Sequence, residues 1–511
     1  MLKAKLLAAI LCVVSAGCTR KESFPAIGTK IASPVDVDVT SSGSHFFVLN
    51  SDFDRTYGQG SVLVLDKDGE KVGALPVPRM GRFLTVAGND MLVGIDYQDD
   101  DGGPLLLLLD VSDPANPVEK KRWPLECSPL NAELRPGYPY FMLGCTTGQM
   151  FLGKLAEDRS QSTMKIVRRY GLPRRALHID PVRGLIFGFT TDLDKQASSD
   201  SPELDEQTYD DQAKLVAAPP KEDGTPGTMP DEIPDERQSS RRALSNRGSW
   251  QLYQFFVYDI NRELGDNPDC TSPQEGVEDC FPYRKLSEPL VQRELRWLYF
   301  RLGNFDGTPD PMVKEYRSTA FKYYRTNFWS ARPDPYDPDV FYLSHRGPPR
   351  DEGSPHANQI VRVRIVGDVL GELAEKPAEG KPPKTEDVLQ FERVYGFAGA
   401  EINKYHYPGD FELTEVAGQR VLVVNHFRDL VNWVRGDVYF SLAAKVLDEN
   451  TWVAETENPA SGARPDPGAR SWYQVAVNRE GRAASCLFYS NAVMLLDVTP
   501  GVGITEIKRI Q

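Results

Sequence analysis

The chain has 511 residues, 40% of them apolar, enough to bury one large core or several smaller ones. Its 73 acidic and 59 basic side chains leave a formal charge of −14, which disfavours polyanion binding by the protein as a whole and sets nucleic acid aside as a partner. Beyond the first residues no apolar run reaches membrane-spanning length; the longest cluster, Leu105 to Leu109, is the size of a strand.

At the N-terminus Lys3 and Lys5 precede an apolar stretch, Leu6 to Val14, too short to cross a bilayer, and Ser15-Ala16-Gly17 supply the small residues of a processing site. Val14-Ser15-Ala16-Gly17-Cys18 resembles a bacterial lipobox, with Ser15 where lipoboxes usually carry leucine. The resemblance implies a signal peptide over 1–17, acylation of Cys18, and a lipidated tether over 18–32 that leads into a folded body at 33–511. Several acyl chains exceed the two signals that stable anchoring needs. Thr19 in place of an aspartate points, by the same analogy, to the outer membrane, periplasmic or surface-facing. Ordinary secretion with an incidental thiol is the alternative, and on both readings the protein leaves the cytosol.

From residue 33 the chain repeats one unit. Each unit holds an apolar strand, a turn or loop, and a second apolar strand that often closes in Asp. The first members span 45–50, 90–96, 138–145, 184–189, 339–344, 420–425 and 483–489. The second members span 61–66, 105–110, 150–155, 255–259, 360–365, 438–442 and 493–497. Turns such as Ser41-Ser42-Gly43 bring in a preceding strand, and a more polar strand follows each pair, as at 70–77 and 117–125. Four antiparallel strands per unit, in seven units, read as an all-β, seven-bladed β-propeller with long loop insertions. Leu-Leu-Asp110-Val-Ser-Asp-Pro-Ala-Asn-Pro-Val118 resembles the LVIVD-type repeat of bacterial surface and periplasmic propellers, and Ser61-Val-Leu-Val-Leu-Asp-Lys-Asp-Gly69 is similar to YVTN-type propellers. That resemblance implies a fold and a binding role, not a reaction.

In this fold the loops between second and third strands open on one face, and here those loops grow. They carry Asp52 and Asp54, then Asp99, Asp100 and Asp101, then His345, Arg346 and His356, then His426, Arg428 and Trp433. Repeated extension on one face reads as a recognition surface on a rigid scaffold, against the alternative that insertions drift wherever they are tolerated. The largest insertion, about 191–248, holds 14 acids and 4 bases between Thr191 and Ser240 and cannot bury enough surface to fold alone. A second, about 261–318, contains Cys270 and Cys280 and begins a run of basic residues among aromatics from Arg293 to Trp329. That run reads as the apolar face of a strand or helix with its arginines outward, or as a stacking surface for a glycan or peptide.

Cys12 falls in the signal and Cys18 in the lipobox. Close spacing pairs Cys127 with Cys145 and Cys270 with Cys280 in an oxidising compartment, and Cys486 lies in an apolar strand as a buried thiol. No phosphate loop, zinc-protease helix motif or Gly-x-Ser-x-Gly elbow is present. His345, His356 and His426 with the loop aspartates compose a chain-distant set that would suit a divalent ion at a central channel; Glu401, His406 and Asp410 form a further acid–base set beside it. The expectation is a lipid-anchored envelope propeller that binds an envelope protein or polysaccharide, requires no cofactor and performs no catalysis. The alternative is a lactonase-like or phosphatase-like hydrolase with a divalent metal ion in the channel.

Overall fold

The computed structural model describes residues 24–96, 102–146, 149–168, 176–189, 254–260, 291–294, 327–346, 359–369, 389–396, 406–428, 439–446, 451–454, 474–488, 491–500 and 503–511. Strands β1 (Pro34–Val39), β2 (His45–Asn50), β3 (Gly60–Asp66) and β4 (Lys71–Val77) make the first sheet. The second holds β5 (Gly81–Ala87), β6 (Asp90–Ile95), β7 (Leu105–Asp110) and β8 (Val118–Pro124); the third, β9 (Pro129–Glu133), β10 (Tyr140–Cys145), β11 (Met150–Lys154) and β12 (Thr163–Arg168). The fourth holds β13 (Ala176–Asp180), β14 (Leu185–Phe189), β15 (Gln254–Asp259) and β16 (Val291–Glu294). The fifth holds β17 (Asn327–Pro333), β18 (Val340–Arg346), β19 (Gln359–Ile365) and β20 (Leu389–Gly396). The sixth holds β21 (His406–Val416), β22 (Gln419–Arg428), β23 (Tyr439–Val446) and β24 (Thr451–Ala454), and the last β25 (Val475–Val477), β26 (Arg482–Leu487), β27 (Ala492–Thr499) and β28 (Gly503–Ile510). The described residues thus form seven four-stranded sheets, each in chain order and antiparallel throughout. First strands neighbour one another in succession from β1 to β25, and β25 returns to β1. This is a β-propeller, with first strands around a channel and fourth strands outermost.

The strand period of two explains how one apolar run serves two sheet interfaces. Phe47 and Leu49 of β2 pack with Leu84, Met91 and Val93 of the second sheet, whereas Phe46 and Val48 turn to Ala484, Cys486 and Val493 of the last. Leu105, Leu107 and Leu109 of β7 join the first of these layers, while Leu106 and Leu108 face the third sheet beside Phe141 and Leu143. Second and third strands are therefore apolar on both faces and read as continuous runs. Of the outermost strands, β8 meets water: it reads Val-Glu-Lys-Lys-Arg-Trp-Pro with no buried residue.

Among the described residues no strand crosses the seam between the last sheet and the first. The ring closes by packing within one core layer, which joins Val37, Leu63 and Leu65 to Ala476 and Leu495. Polar contacts reinforce it: Ser33 N donates to Asn491 Oδ1 (2.6 Å), Asn478 Nδ2 to the Gly43 carbonyl (2.8 Å), and Lys508 Nζ pairs with Glu70 (2.6 Å). Ile27 and Ile31 are buried against the body, so the later part of the segment expected as tether is packed. Asn50 holds it, accepting from Ala32 N at 3.2 Å and donating to the Lys30 carbonyl at 3.2 Å.

Residues Val291–Glu294 correct the second expected insertion, because they form β16 and pair with β15. A short strand at the outer edge has little apolar signal to reveal it. Cys127 and Cys145 come together as the spacing predicts: their sulfurs are within bonding distance, with Cα atoms 6.0 Å apart. Cys486 is fully buried, and burial pushes its thiol pKa well up. Cys18, Cys270, Cys280 and the acidic insertion at 191–248 lie outside the described residues.

A repeated packing device lays an aromatic ring over the glycine opposite it on the next strand. Phe83 covers Gly94 between β5 and β6, and Phe141 covers Gly153 between β10 and β11. A methyl group at either glycine would overlap the ring. Gly153→Ala is expected to destabilise the fold by about 1–3 kcal/mol, read as a lowered urea midpoint, because the fully buried Phe141 has nowhere to move. Peptide mapping without reduction should recover the Cys127–Cys145 pair linked, and its reduction should cost about 3 kcal/mol of stability.

Candidate binding face and central channel

A cavity of 440 Å³ occupies the middle of the ring, and every first strand contributes to its wall. First strands are edge strands on that side, so their inward amides need partners. Asp36 and Asp38 meet this need between β1 and β5. Asp36 accepts from Leu84 N (2.7 Å) and its neighbour Val37 N (2.8 Å), and Asp38 from Val86 N (2.7 Å) and Val39 N (2.7 Å).

Further round the ring, side-chain ion pairs take over. Arg135, just past β9, pairs with Glu133 at 2.9 Å, donates to His178 Nδ1 at 2.7 Å, and reaches the Ile179 carbonyl of β13 at 3.3 Å. Arg332 of β17 pairs with Glu412 of β21 at 3.4 Å. Burial pushes the Glu133 carboxyl pKa up, with Arg135 opposing, and pushes Arg135 down, with Glu133 opposing.

His178 sits behind this wall, 3% exposed and stacked on Phe341 with ring centres 4.2 Å apart. Burial lowers its pKa well below the usual 6.5, and Arg135 and Arg183 add to the shift. With Nδ1 accepting from Arg135, the neutral ring carries its proton on Nε2, which finds no partner among the described residues.

The channel opens on the face where β2 ends and β3 begins. There Asp52 adopts a left-handed backbone (φ 48°) and turns its carboxylate inward, onto Thr56 N (2.9 Å) and Tyr57 N (3.1 Å), 3.6 Å from buried Arg79. At 1% exposure this expected face residue holds its loop in shape and presents no carboxylate to a partner. Asp54 stays exposed. The loop instead offers Phe53, 55% exposed and edge-on to Phe488 at 5.8 Å. Arg82 and Asp96, 3.8 Å apart, also line the cavity.

His345 and Arg346 end β18, and His426 and Arg428 lie at the end of β22, so their backbones reach the same face. His406 and Asp410 fall within the first strand β21. Asp99, Asp100, Asp101, His356, Glu401 and Trp433 lie outside the described residues. Among the described residues no group of three or more His, Cys, Asp and Glu is placed to hold a metal ion. Sequence reasoning missed Asp36, Asp38, Glu133, Arg135, Arg332 and Glu412. The available signal was charge at alternate positions before an apolar pair, as at Asp36 and Asp38 and at Glu133 and Arg135.

No family model matches the chain, and no curated protein does. Among solved structures it is similar to the β-propeller domain of Myceliophteria thermophila Cps50 (Swd1), at 9% identity over 92% of this chain and 99% of that one, with a TM-score of 0.47. Saccharomyces cerevisiae Sqt1 is similar at 7% identity, 96% and 88% coverage and a TM-score of 0.40. A Bacteroides fragilis protein named as a 6-phosphogluconolactonase is similar at 9% identity, 94% and 95% coverage and a TM-score of 0.42. These are likenesses of fold, and no activity follows from them.

The depressed pKa of His178 gives a pH dependence. The unfolded chain takes up the proton first, so this contribution to stability is complete above pH 6.5 and is lost as pH falls below that value. Between pH 6.5 and 5 the wild type is expected to lose up to about 1.4 kcal/mol per pH unit more than His178→Phe, measured as denaturant midpoints.

Proposed function

We propose that this chain is an exported, lipid-anchored, seven-bladed propeller that binds an envelope protein or polymer without catalysis. The partner docks on the face where the loops between second and third strands open. The observation that carries this reading is the Phe53 loop. Asp52 and Arg79 hold it from within, and it presents a large aromatic ring to solvent at the channel mouth. An exposed aromatic ring on a held loop, at the mouth of a cavity that Arg82 and Asp96 also line, is suited to anchor a partner. The export and anchoring part of the reading is supported by the Leu6–Val14 core and the lipobox-like Val14–Cys18.

A photo-crosslinking residue at Phe53, used in intact cells, is expected to trap a discrete envelope component. The same residue at Val182, 66% exposed in the turn between β13 and β14 at the other end of the ring, should trap none. Equal labelling from both positions would sink the face assignment. Phe53→Ala should weaken capture about tenfold. Cys18→Ser should move the chain from the membrane to the soluble fraction, and persistence at the membrane would remove the lipid anchor from the proposal.

A further inference from the structure

Six of the eight charged side chains on the channel wall are joined in ion pairs, and this bears on what the channel can hold. Asp36 and Asp38 each accept two backbone amides. Setting them aside leaves three arginines against three carboxylates: Arg82 with Asp96 (3.8 Å), Arg135 with Glu133 (2.9 Å) and Arg332 with Glu412 (3.4 Å). A charged ligand would attract one member of each pair and repel the other, and parting a half-buried pair leaves a charge uncompensated.

A neutral molecule rich in hydroxyls avoids this conflict. Each hydroxyl donates one hydrogen bond and accepts others, so it can bridge a guanidinium and its carboxylate without separating them. Two further features suit such a ligand. Ser51 is on the cavity wall, 2% exposed, with an Oγ that has no partner among the described residues. Phe53 at the mouth offers an apolar ring against which the C–H face of a sugar can lie. The 440 Å³ volume falls within the usual range of small-molecule sites, about 300–1,000 Å³.

We infer that the central channel is a binding site for a short neutral oligosaccharide, held by the three arginine–carboxylate pairs and entered past Phe53. This goes beyond docking on the face, which needs no ligand in the channel.

The test is calorimetric titration of the full chain, purified in a detergent without a sugar headgroup. The neutral probes are maltotriose, cellotriose and triacetylchitotriose; trigalacturonate and trilysine serve as anionic and cationic comparators. Saturable binding of at least one neutral probe is expected, at least about tenfold tighter than either charged comparator. Thr85→Trp fills the channel from β5 without touching an ion pair and should weaken that binding at least about tenfold. Should that variant fail to fold, Arg82→Met, which breaks the partly exposed pair at the mouth, is expected to weaken binding by a similar, roughly tenfold, factor. Binding of no neutral probe, equal binding of a charged one, or binding indifferent to the folded variant would overturn the inference. Those outcomes leave the crosslinking result at Phe53 unaffected, so the two readings fail separately.

Discussion

The inward edge of the first strands is the constraint on which this molecule depends. A four-stranded sheet that stands radially around a channel leaves a row of backbone groups facing the axis, and an unsatisfied buried amide costs about 1–3 kcal/mol. Asp36 and Asp38 answer it by reaching from β1 to Leu84 and Val86 of β5. Arg135 does so from just past β9 to the Ile179 carbonyl of β13. Each contact also ties one sheet to the next, so the groups that satisfy the edge assemble the ring. The polar character of the channel is a consequence of that requirement.

The seam shows how much of the closure rests on apolar packing. Among the described residues no strand is exchanged between the first and last sheets, and the layer that joins Val37, Phe46 and Leu63 to Ala484, Cys486 and Leu495 holds the ring shut together with the polar contacts across the seam. The buried thiol of Cys486 belongs to this layer and lies near Asp36, whose charge adds to the rise in its pKa. A thiol so placed acts as a small apolar side chain. Packing at the seam and hydrogen bonding in the channel therefore meet at the same sheet.

The proposed binding site and the fold share residues at the mouth. Asp52 is spent on its own loop, and the result is that Phe53 stands out toward solvent at a defined place. Behind the wall, His178 accepts from Arg135 and is kept neutral by burial, so Arg135 is held from both sides by Glu133 and an imidazole. Side chains fixed in this way present their remaining hydrogen-bonding capacity at set positions, which is what a preorganised site requires.

Much of this architecture was legible in the chain itself. The apolar pairs at 45–50 with 61–66 and at 90–96 with 105–110 correspond to β2 with β3 and β6 with β7, because a strand buried on both faces must be continuously apolar. The proximity of Cys127 and Cys145 and the burial of Cys486 followed from the same register. Strand β16 escaped notice because an outer edge strand carries no such run, and Asp52 was misplaced because its backbone turns the carboxylate inward. The sequence by itself determined the paired inner strands of each sheet, since a continuous apolar run is a local property. Only the tertiary structure decided which charges meet, because Arg332 and Glu412, like Asp36 and Leu84, are far apart in the chain and become neighbours when the ring closes.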